Sequence, residues 1–269
     1  IVDPACGSGS FLIGAYQYLL DWHLSYYMGK GTKEKILTPD GRLTTAEKKK
    51  ILINNIYGVD IDTQATEVTK LSLLLKCMEG ETLASVQQTM SFMHERILPT
   101  LENNIKCGNS LIDLDFDYGK LEFKAHTATA KASSPHNGKE RSIDNKIKPF
   151  NWQAAYPVVF KQGGFDCVIG NPPYVNIRNL TYSQETEAKT YFTQKFYTAY
   201  KGYDLYVLFI EKALSLLNKK GTLGYIIPNK FATLDYGFNT RKLLLEQHSI
   251  IEICDVSKLN VFGGVGVYP

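Results

Sequence analysis

A short polar loop directly after an apolar run has the residue types that could act on an aromatic amine. The run from Phe165 to Ile169 predicts a buried strand, and Asn171-Pro172-Pro173-Tyr174 follows it. Two successive prolines fix φ and remove backbone donors, so the loop is rigid and cannot continue the strand. It places an amide, a proline carbonyl and an aromatic ring at the carboxyl end of a strand, where open α/β sheets bind ligands.

These groups suit an exocyclic amine, which is a poor nucleophile because its lone pair is delocalised into the ring. Two acceptors aimed at its N–H bonds, the Asn171 side-chain oxygen and the Pro172 carbonyl, would stabilise the positive charge that develops on attack. Tyr174 would stack on the ring, and Pro173 would line the same pocket. The alternative interpretation of the tetrapeptide is a Pro-Pro turn that simply ends a strand.

Three other polar turns also follow predicted strands. The first, Asp3 to Ser10, precedes a helix predicted from about Phe11 to Met28, and Gly7 and Gly9 allow a ligand close to the backbone. It matches neither the GxGxxG dinucleotide fingerprint nor a phosphate loop. The second places Asp60 after the strand Ile56 to Val59, where a carboxylate can accept both hydroxyls of a ribose. The third places Asn109 after the strand Ile105 to Cys107.

Taken together, the motifs resemble those of the amino-group DNA methyltransferases. The Asn-Pro-Pro-Tyr loop resembles the catalytic motif of the adenine-N6 branch, and Asp3 to Phe11 resembles the S-adenosylmethionine motif. Gly58 to Asp62 and Gly108 to Leu111 resemble the ribose and adenine-edge motifs. Cofactor motifs that precede the catalytic loop are the order of the γ group. The resemblance covers nearly the whole chain and is strongest to the methylases of type IIG restriction–modification enzymes.

The resemblance implies S-adenosylmethionine as the cofactor and assigns a role to each motif. Asp3 would receive the ammonium of the methionine part, directly or through water, and Asp60 would hold the ribose. Asn109 would accept from the cofactor's adenine amine, although the family often has Asp there, and Ser110 or the next backbone N–H would serve the ring nitrogen. The remaining cofactor-binding residues implied by these motifs are Ala5, Gly7, Gly9 and Ile61.

The second half of the chain is then expected to hold the substrate. Asn171, Pro172 and Tyr174 would be catalytic, with Pro173 and Phe262 as substrate contacts and Phe262 as the second aromatic wall. The resemblance implies double-stranded DNA with a flipped target adenine, because N6 is otherwise paired. It also implies a nuclease domain or subunit of the same system as a partner, and no metal. The aromatic and cationic residues of Val175 to Gly202 suit either a loop that receives this nucleotide or an amphipathic helix.

Two other functions are compatible with these motifs. One is a methyltransferase for another planar amide or amine, such as a protein glutamine or cytosine N4. The extended region after Tyr174 argues against a glutamine enzyme, because those are usually compact. The other is a non-catalytic subunit that binds DNA and keeps the fold, which would be expected to have a broken catalytic loop.

Composition and element order predict the fold. The chain has 269 residues, is 44% hydrophobic and has a net charge of +3, which is weak evidence for nucleic-acid binding. Predicted strands near residues 1, 56, 105, 165, 222, 250 and 265 alternate with helices. This pattern predicts an α/β, Rossmann-like S-adenosylmethionine-dependent methyltransferase fold with a mainly parallel sheet and helices on both faces. The resemblance implies seven strands, of which the last is antiparallel.

The sequence also predicts the cellular location of the protein and the extent of its domain. The five cysteines, an odd number without a CxxC pair, suit a reducing cytoplasm, and no apolar run is long enough for a membrane span. We expect one catalytic domain over residues 1–269, with an insertion at about 116–150 that is mobile over 125–146. Because the chain starts inside a motif, we expect a fragment, with a target-recognition domain beyond Pro269 and any nuclease before Ile1.

Overall fold

The computed structural model describes residues 1–30, 36–81, 99–116, 147–180, 185–256 and 259. Their centre is a parallel sheet of five strands in the order β3-β2-β1-β4-β5. The strands are, in order, β1 Val2–Asp3, β2 Tyr57–Asp60, β3 Ile105–Cys107, β4 Phe165–Gly170 and β5 Leu217–Tyr225. The α/β, Rossmann-like fold predicted from the sequence is therefore confirmed, with five strands in the described ranges and not seven.

The strand register brings the four polar turns to one edge of the sheet. Val2 of β1 pairs with Tyr57 of β2 on one side and with Val168 of β4 on the other. Asp60 pairs with Cys107, so β2 and β3 end at the same level. The chain runs outward from β1 in both directions, and the crevice between β1 and β4 is thus the topological switch point at which ligands bind in this architecture.

Helices pack against the sheet and cover its apolar side chains. The first three are α1 Ser10–Lys30, α2 Thr45–Asn55 and α3 Thr63–Met78. Two short helices, α4 Trp152–Ala155 and α5 Pro157–Lys161, precede β4. The later helices are α6 Glu185–Lys195, α7 Leu205–Leu216, α8 Lys230–Thr233 and α9 Phe238–Gln247, with short 3-10 turns at Ile177–Asn179 and Asp235–Gly237. Within the described ranges, no helix combines the length and apolar composition needed to cross a bilayer.

The sequence also predicts a capping box at Thr44 and Glu47 and a helix cap at Asp62, and two helices of the structure start at these caps. The Thr44 side chain accepts from the Glu47 N–H at the start of α2, and the Asp62 carboxylate accepts from the Gln64 N–H at the start of α3. These bonds satisfy donors that have no partner inside the helix. Asp62 therefore has the structural role that its position predicts, and Asp60 remains the carboxylate at the end of β2.

For the second half of the chain the sequence predicts a helix from Asp204 to Asn218, a strand from Thr222 to Ile227 and a further strand from Ile250 to Cys254. The helix and the first strand are present with shifted bounds, because the helix ends at Leu216 and β5 begins at Leu217. The strand predicted at Ile250 to Cys254 has no regular structure, and Ile251 and Ile253 are 80% and 79% exposed. The sequence also predicts a helix from about Thr82 to Leu98. This helix, the centre of the insertion and the strand near 265 lie outside the described residues.

Candidate active site at the carboxyl edge of the sheet

A cavity of about 280 Å³ lies at the switch point and collects residues from all four polar turns. Pro4 and Ala5 come from the turn after β1, Asp60 and Ile61 from the turn after β2, and Asn171 and Pro173 from the loop after β4. Asn109 and Ser110, after β3, complete the polar side. Seven of the predicted site residues therefore line one cavity, although they are up to 168 positions apart in the sequence.

The loop after β4 holds Asn171 through Tyr174. The Tyr174 hydroxyl contacts the Asn171 side-chain oxygen and lies 3.0 Å from the Ile226 carbonyl oxygen, just past the end of β5. The Ile226 N–H in turn donates to the Gly170 carbonyl at 3.1 Å. Pro172 is buried and Pro173 is exposed. The tetrapeptide is thus tied to two strand ends, and the position of the Asn171 amide is set by the adjacent aromatic residue.

Gly170 lies against the buried carboxylate of Asp3. Its φ is +152°, and a Cβ added there would lie 2.5 Å from Asp3 Oδ1. Asp3 is 1% exposed, and its Oδ1 accepts from the Ala5 N–H at 3.0 Å. Burial raises the pKa of the Asp3 carboxyl to about 7, the Ala5 N–H lowers it, and the nearby Asp60 carboxylate raises it. The residue before the predicted catalytic loop therefore lies against the first residue of the predicted cofactor turn.

The turn after β1 is also joined to Asp60. The Gly7 N–H donates to Asp60 Oδ2 at 2.8 Å, and the Asp62 N–H donates to Asp60 Oδ1 at 2.9 Å. Gly7 has φ +52° and open space on its Cβ side, whereas Gly9 has φ +86° and lies against Thr69 of α3. Gly7 therefore leaves space on its Cβ side, whereas the lack of a side chain at Gly9 serves the packing of α3.

The turn after β3 is braced by its own hydrogen bonds. Asn109 Oδ1 accepts from the Leu111 N–H at 3.1 Å, and the Ser110 hydroxyl donates to the Pro4 carbonyl at 2.6 Å. Both donors that the sequence assigns to a ring nitrogen are thus engaged within the protein. Asn109 still has a second lone pair on its side-chain oxygen with which to accept. The Ser110 side chain instead joins the turn after β3 to the turn after β1.

The residues present fit a nucleoside-containing cofactor. A carboxylate at the end of β2, two polar side chains after β3 and the Asn171 amide line a cavity whose other walls are largely apolar. Those walls come from Leu111, Ile112, Ile147, Leu180, Ala188, Phe192, Leu205 and Phe209. The sequence analysis did not assign these residues, although several lie on the apolar faces of α6 and α7, a pattern that predicts burial without showing what is covered.

The other predicted residues lie beside the cavity and do not line it. Asp3, Gly7 and Tyr174 each contact a residue that lines it, namely Ala5, Asp60 and Asn171. Gly9 and Pro172 also lie outside the lining. Tyr225 pairs with Gly170 in the sheet. The Tyr225 hydroxyl is buried and has no hydrogen-bond partner in the part of the chain that the structure describes. Phe262, the predicted second aromatic wall, lies outside the described residues.

A buried polar network lies behind Tyr174. The Tyr174 ring meets the Tyr206 ring edge to face at 6.1 Å, and the Tyr206 and Tyr236 hydroxyls are 2.8 Å apart. The Tyr236 hydroxyl also donates to Asp204 Oδ2 at 3.1 Å, and Asn176 donates to Asp204 Oδ1 at 2.8 Å. A fully bonded network of this kind is rigid, and it fixes the plane of the aromatic ring beside Asn171.

The fold and the site together define a class of protein. Parallel strands in the order 3-2-1-4-5, a glycine turn after β1, a carboxylate after β2 and a ligand cavity at the β1/β4 switch point are the plan of the S-adenosylmethionine-dependent methyltransferase fold. The chain belongs to the Eco57I restriction-modification methylase family, whose model matches residues 54–262. A second model, N-6 DNA Methylase, matches residues 1–102.

Named relatives agree with this assignment. The chain is 33% identical over 271 residues to the type II restriction enzyme and methyltransferase RM.Eco57I of Escherichia coli, covering 99% of this chain and 23% of that protein. It is 26% identical to a putative type II restriction enzyme and methyltransferase, RM.MjaORFECS2P, of Methanocaldococcus jannaschii, covering 99% of this chain and 29% of that protein. The chain therefore spans less than a third of the length of either relative.

A solved structure shares the fold. The type IIL restriction-modification enzyme MmeI, solved in complex with DNA, matches with a TM-score of 0.53 at 15% identity. The match covers 91% of this chain and 26% of the MmeI chain. At this identity the likeness extends to the fold, which agrees with the strand order described above.

Proposed function

We propose that this chain is the catalytic domain of a DNA methyltransferase of a restriction–modification system, acting on N6 of adenine with S-adenosylmethionine as methyl donor. The observation that carries the proposal is the shared cavity: the Asn171 loop and the Asp60 and Asn109 turns open onto the same space. A transfer between two bound molecules needs this arrangement, because donor and acceptor must meet in line.

The residues around the cavity divide into two sets. Asp60 would hold ribose hydroxyls, Asn109 the cofactor's adenine amine, and Asp3 the ammonium of its methionine part, directly or through water. Ala5, Ile61 and Ser110 would complete that side, with Gly7 and Gly9 shaping its turn. When bound, S-adenosylmethionine supplies an electrophilic methyl group on a sulfonium. Asp60 keeps acceptor capacity beyond its two backbone bonds, since a carboxylate has about four lone-pair sites.

The second set would hold the target base. The Asn171 oxygen and the Pro172 carbonyl would accept from the two N–H bonds of the adenine amine, and Tyr174 and Pro173 would contact the ring. Since acceptors fixed before the reaction lose little in reorganisation, they stabilise the charge that develops on the amine. The network behind Tyr174 supports this function because it holds the ring and, through the Tyr174 hydroxyl, the Asn171 amide.

The remaining partners follow from the same proposal. The substrate is double-stranded DNA from which the target adenine is flipped, and a nuclease domain or subunit of the same system would cut unmodified DNA. Such an enzyme would act in the cytoplasm, where the host DNA is. We propose that residues 1–269 form one domain, because the two family models overlap and together reach from residue 1 to residue 262.

A methyl-transfer assay tests the proposal against its rivals. The full-length protein is incubated with radiolabelled S-adenosylmethionine and, separately, DNA, RNA and a protein extract. We expect label in DNA, with N6-methyladenine as the labelled base after digestion. Label in protein, or in N4-methylcytosine, would replace the proposal with one of the two related reactions, and no label in any substrate would favour a non-catalytic role.

A further inference from the structure

Lys148 contacts the ends of two neighbouring strands from outside the cavity. Its ammonium donates to the Ile61 carbonyl at 2.9 Å and to Thr63 Oγ1 at 2.8 Å, and it lies 3.3 Å from Cys107 Sγ. Its own carbonyl accepts from the Asn109 N–H at 2.7 Å. One residue thus bonds to the turn after β2, the end of β3 and the turn after β3.

The backbone of Lys148 is in a conformation that a lysine rarely adopts. Its φ is +48°, and within the described ranges the only other non-glycine residue with positive φ is Lys201, at +58°. Left-handed backbone in a non-glycine residue is unfavourable and persists where surrounding contacts require it. The four contacts of Lys148 provide such a requirement, since its carbonyl and its ammonium must point to different loops at once.

The segment that carries Lys148 is firmly attached to the turn after β3. The Phe150 N–H donates to the Ile112 carbonyl at 2.7 Å, and Trp152 Nε1 donates to the Ser110 carbonyl at 3.1 Å. The Phe150 ring also lies against Gly108, where an added Cβ would be 2.5 Å from a ring carbon. The Lys148 ammonium extends this attachment to the turn after β2, and it adds to the bond from the Gly108 N–H to the Asp60 carbonyl at 2.9 Å that also joins the two turns.

The spacing between the two turns matters because both turns line the cavity. Ile61 and Asn109 are both lining residues, whereas Lys148 itself does not line the cavity. A ligand held between them would be sensitive to a movement of either turn, although Lys148 would not touch it. An ammonium is suited to this position, since its three N–H donors can serve three acceptors in different directions.

From these contacts we infer that Lys148 is a positioning residue for the adenosine half of the cofactor, holding the Asp60–Ile61 turn and the Asn109–Ser110 turn at the spacing that binds it. This inference rests on the proposed function, in which those turns take the ribose and the adenine. It assigns a role to a residue that the motifs of the sequence do not include.

Two substitutions separate the ammonium from the backbone. Lys148→Met keeps the apolar stem and removes the donors, and Lys148→Gly also relieves the left-handed φ. Lys201→Gly is the matched control, because it changes the other left-handed lysine, whose ammonium pairs with Asp235 away from the cavity. In the full-length protein, calorimetry would give the dissociation constants and stoichiometries for S-adenosylmethionine and for 5′-methylthioadenosine, which lacks the amino-acid part.

We expect both Lys148 variants to bind the two ligands about tenfold more weakly, a loss of about 1.4 kcal/mol, with unchanged stoichiometry. The methylation rate at saturating cofactor should stay within about twofold of wild type. Lys201→Gly should leave both dissociation constants unchanged. If wild type binds neither ligand, the proposed function itself fails. If wild type binds but the Lys148 variants bind equally well, or weaken only S-adenosylmethionine, the inference is overturned. A lowered melting temperature with unchanged affinity would also overturn it.

Discussion

The contact between Gly170 and Asp3 predicts a strong effect from adding a single methyl group. In Gly170→Ala the new Cβ would lie 2.5 Å from Asp3 Oδ1 and 2.9 Å from its Cγ, closer than real Cβ contacts allow. Asp3 is 1% exposed and cannot simply swing into solvent. In addition, φ of +152° at this position is almost restricted to glycine.

The expected cost follows from these two effects. Unfavourable backbone costs roughly 1–3 kcal/mol, and overpacking a full site costs about 1–3 kcal/mol. We therefore expect the free energy of unfolding to fall by about 2–6 kcal/mol, which for a chain of this size lowers the melting temperature by roughly 4 °C or more. Because the displaced group is the proposed ligand of the cofactor's ammonium, affinity for S-adenosylmethionine should fall as well.

Gly224→Ala is the matched control on the neighbouring strand. Gly224 pairs with Ile169, one residue before Gly170, and an added Cβ there would meet nothing within 4 Å. It should leave stability nearly unchanged. Denaturant unfolding and calorimetry on both variants, and on Gly170→Ala combined with Asp3→Ala, would measure the contact. The double variant lacks the Asp3 carboxylate. It should therefore regain the part of the free energy of unfolding that Gly170→Ala loses through overpacking. Equal stability and equal cofactor affinity for the two single variants would refute the reasoning.

Three further predictions concern the same edge of the sheet. Asp60→Ala should raise the cofactor dissociation constant at least tenfold by removing the ribose acceptor and the bond to the Gly7 N–H, with the rate at saturating cofactor largely kept; a slow rate with unchanged affinity would contradict this role. The pKa of Asp3, raised to about 7 by burial, means that the folded protein holds a proton that the unfolded chain releases near pH 4. The protonated Asp3 carboxyl should therefore stabilise the fold fully below pH 4, and this stabilisation should be lost as pH rises to 7, while cofactor affinity rises over pH 6–8. Asp3→Asn should flatten both profiles, and unaltered profiles would exclude Asp3 as their source. Tyr174→Phe should lower the single-turnover rate about tenfold because the hydroxyl orients Asn171, and Tyr174→Ala should lower it further, whereas a wild-type rate for Tyr174→Phe would show that the ring alone is needed.

The sequence was most informative where a local pattern determines local structure. Thr44 and Asp62 start helices, Gly7 has positive φ, and Asp60, Asn109 and Asn171 stand at strand ends, because capping, turns and strand ends depend on neighbours in the sequence. Since parallel strands share their carboxyl edge, Asp60, Asn109 and Asn171 lie at the same edge of the sheet and line one cavity. Their binding roles remain predictions.

Features that depend on residues distant in the sequence could not be predicted from local patterns. Ile250 to Cys254 is apolar and β-branched enough to suggest a strand, yet it pairs with no strand in the described ranges. Lys148 lies in a polar stretch with no motif, and its importance is visible only when Ile61, Thr63 and Cys107 are brought to its ammonium. Tyr174 and Asn171 are close in the sequence, yet the Tyr174 hydroxyl also contacts the Ile226 carbonyl just past β5, so its position depends on a distant strand.

The central claim is that the Asn171 loop catalyses methyl transfer to the adenine amine. The most direct test is the single-turnover rate of N6-methyladenine formation by the full-length protein and its Asn171→Ala variant, on a duplex with one target adenine and saturating S-adenosylmethionine. We predict a rate lower by on the order of 10²–10³ for the variant, the scale for losing one preorganised polar contact to a transition state, with nearly unchanged cofactor affinity. Methylation by Asn171→Ala at the wild-type rate would contradict the claim.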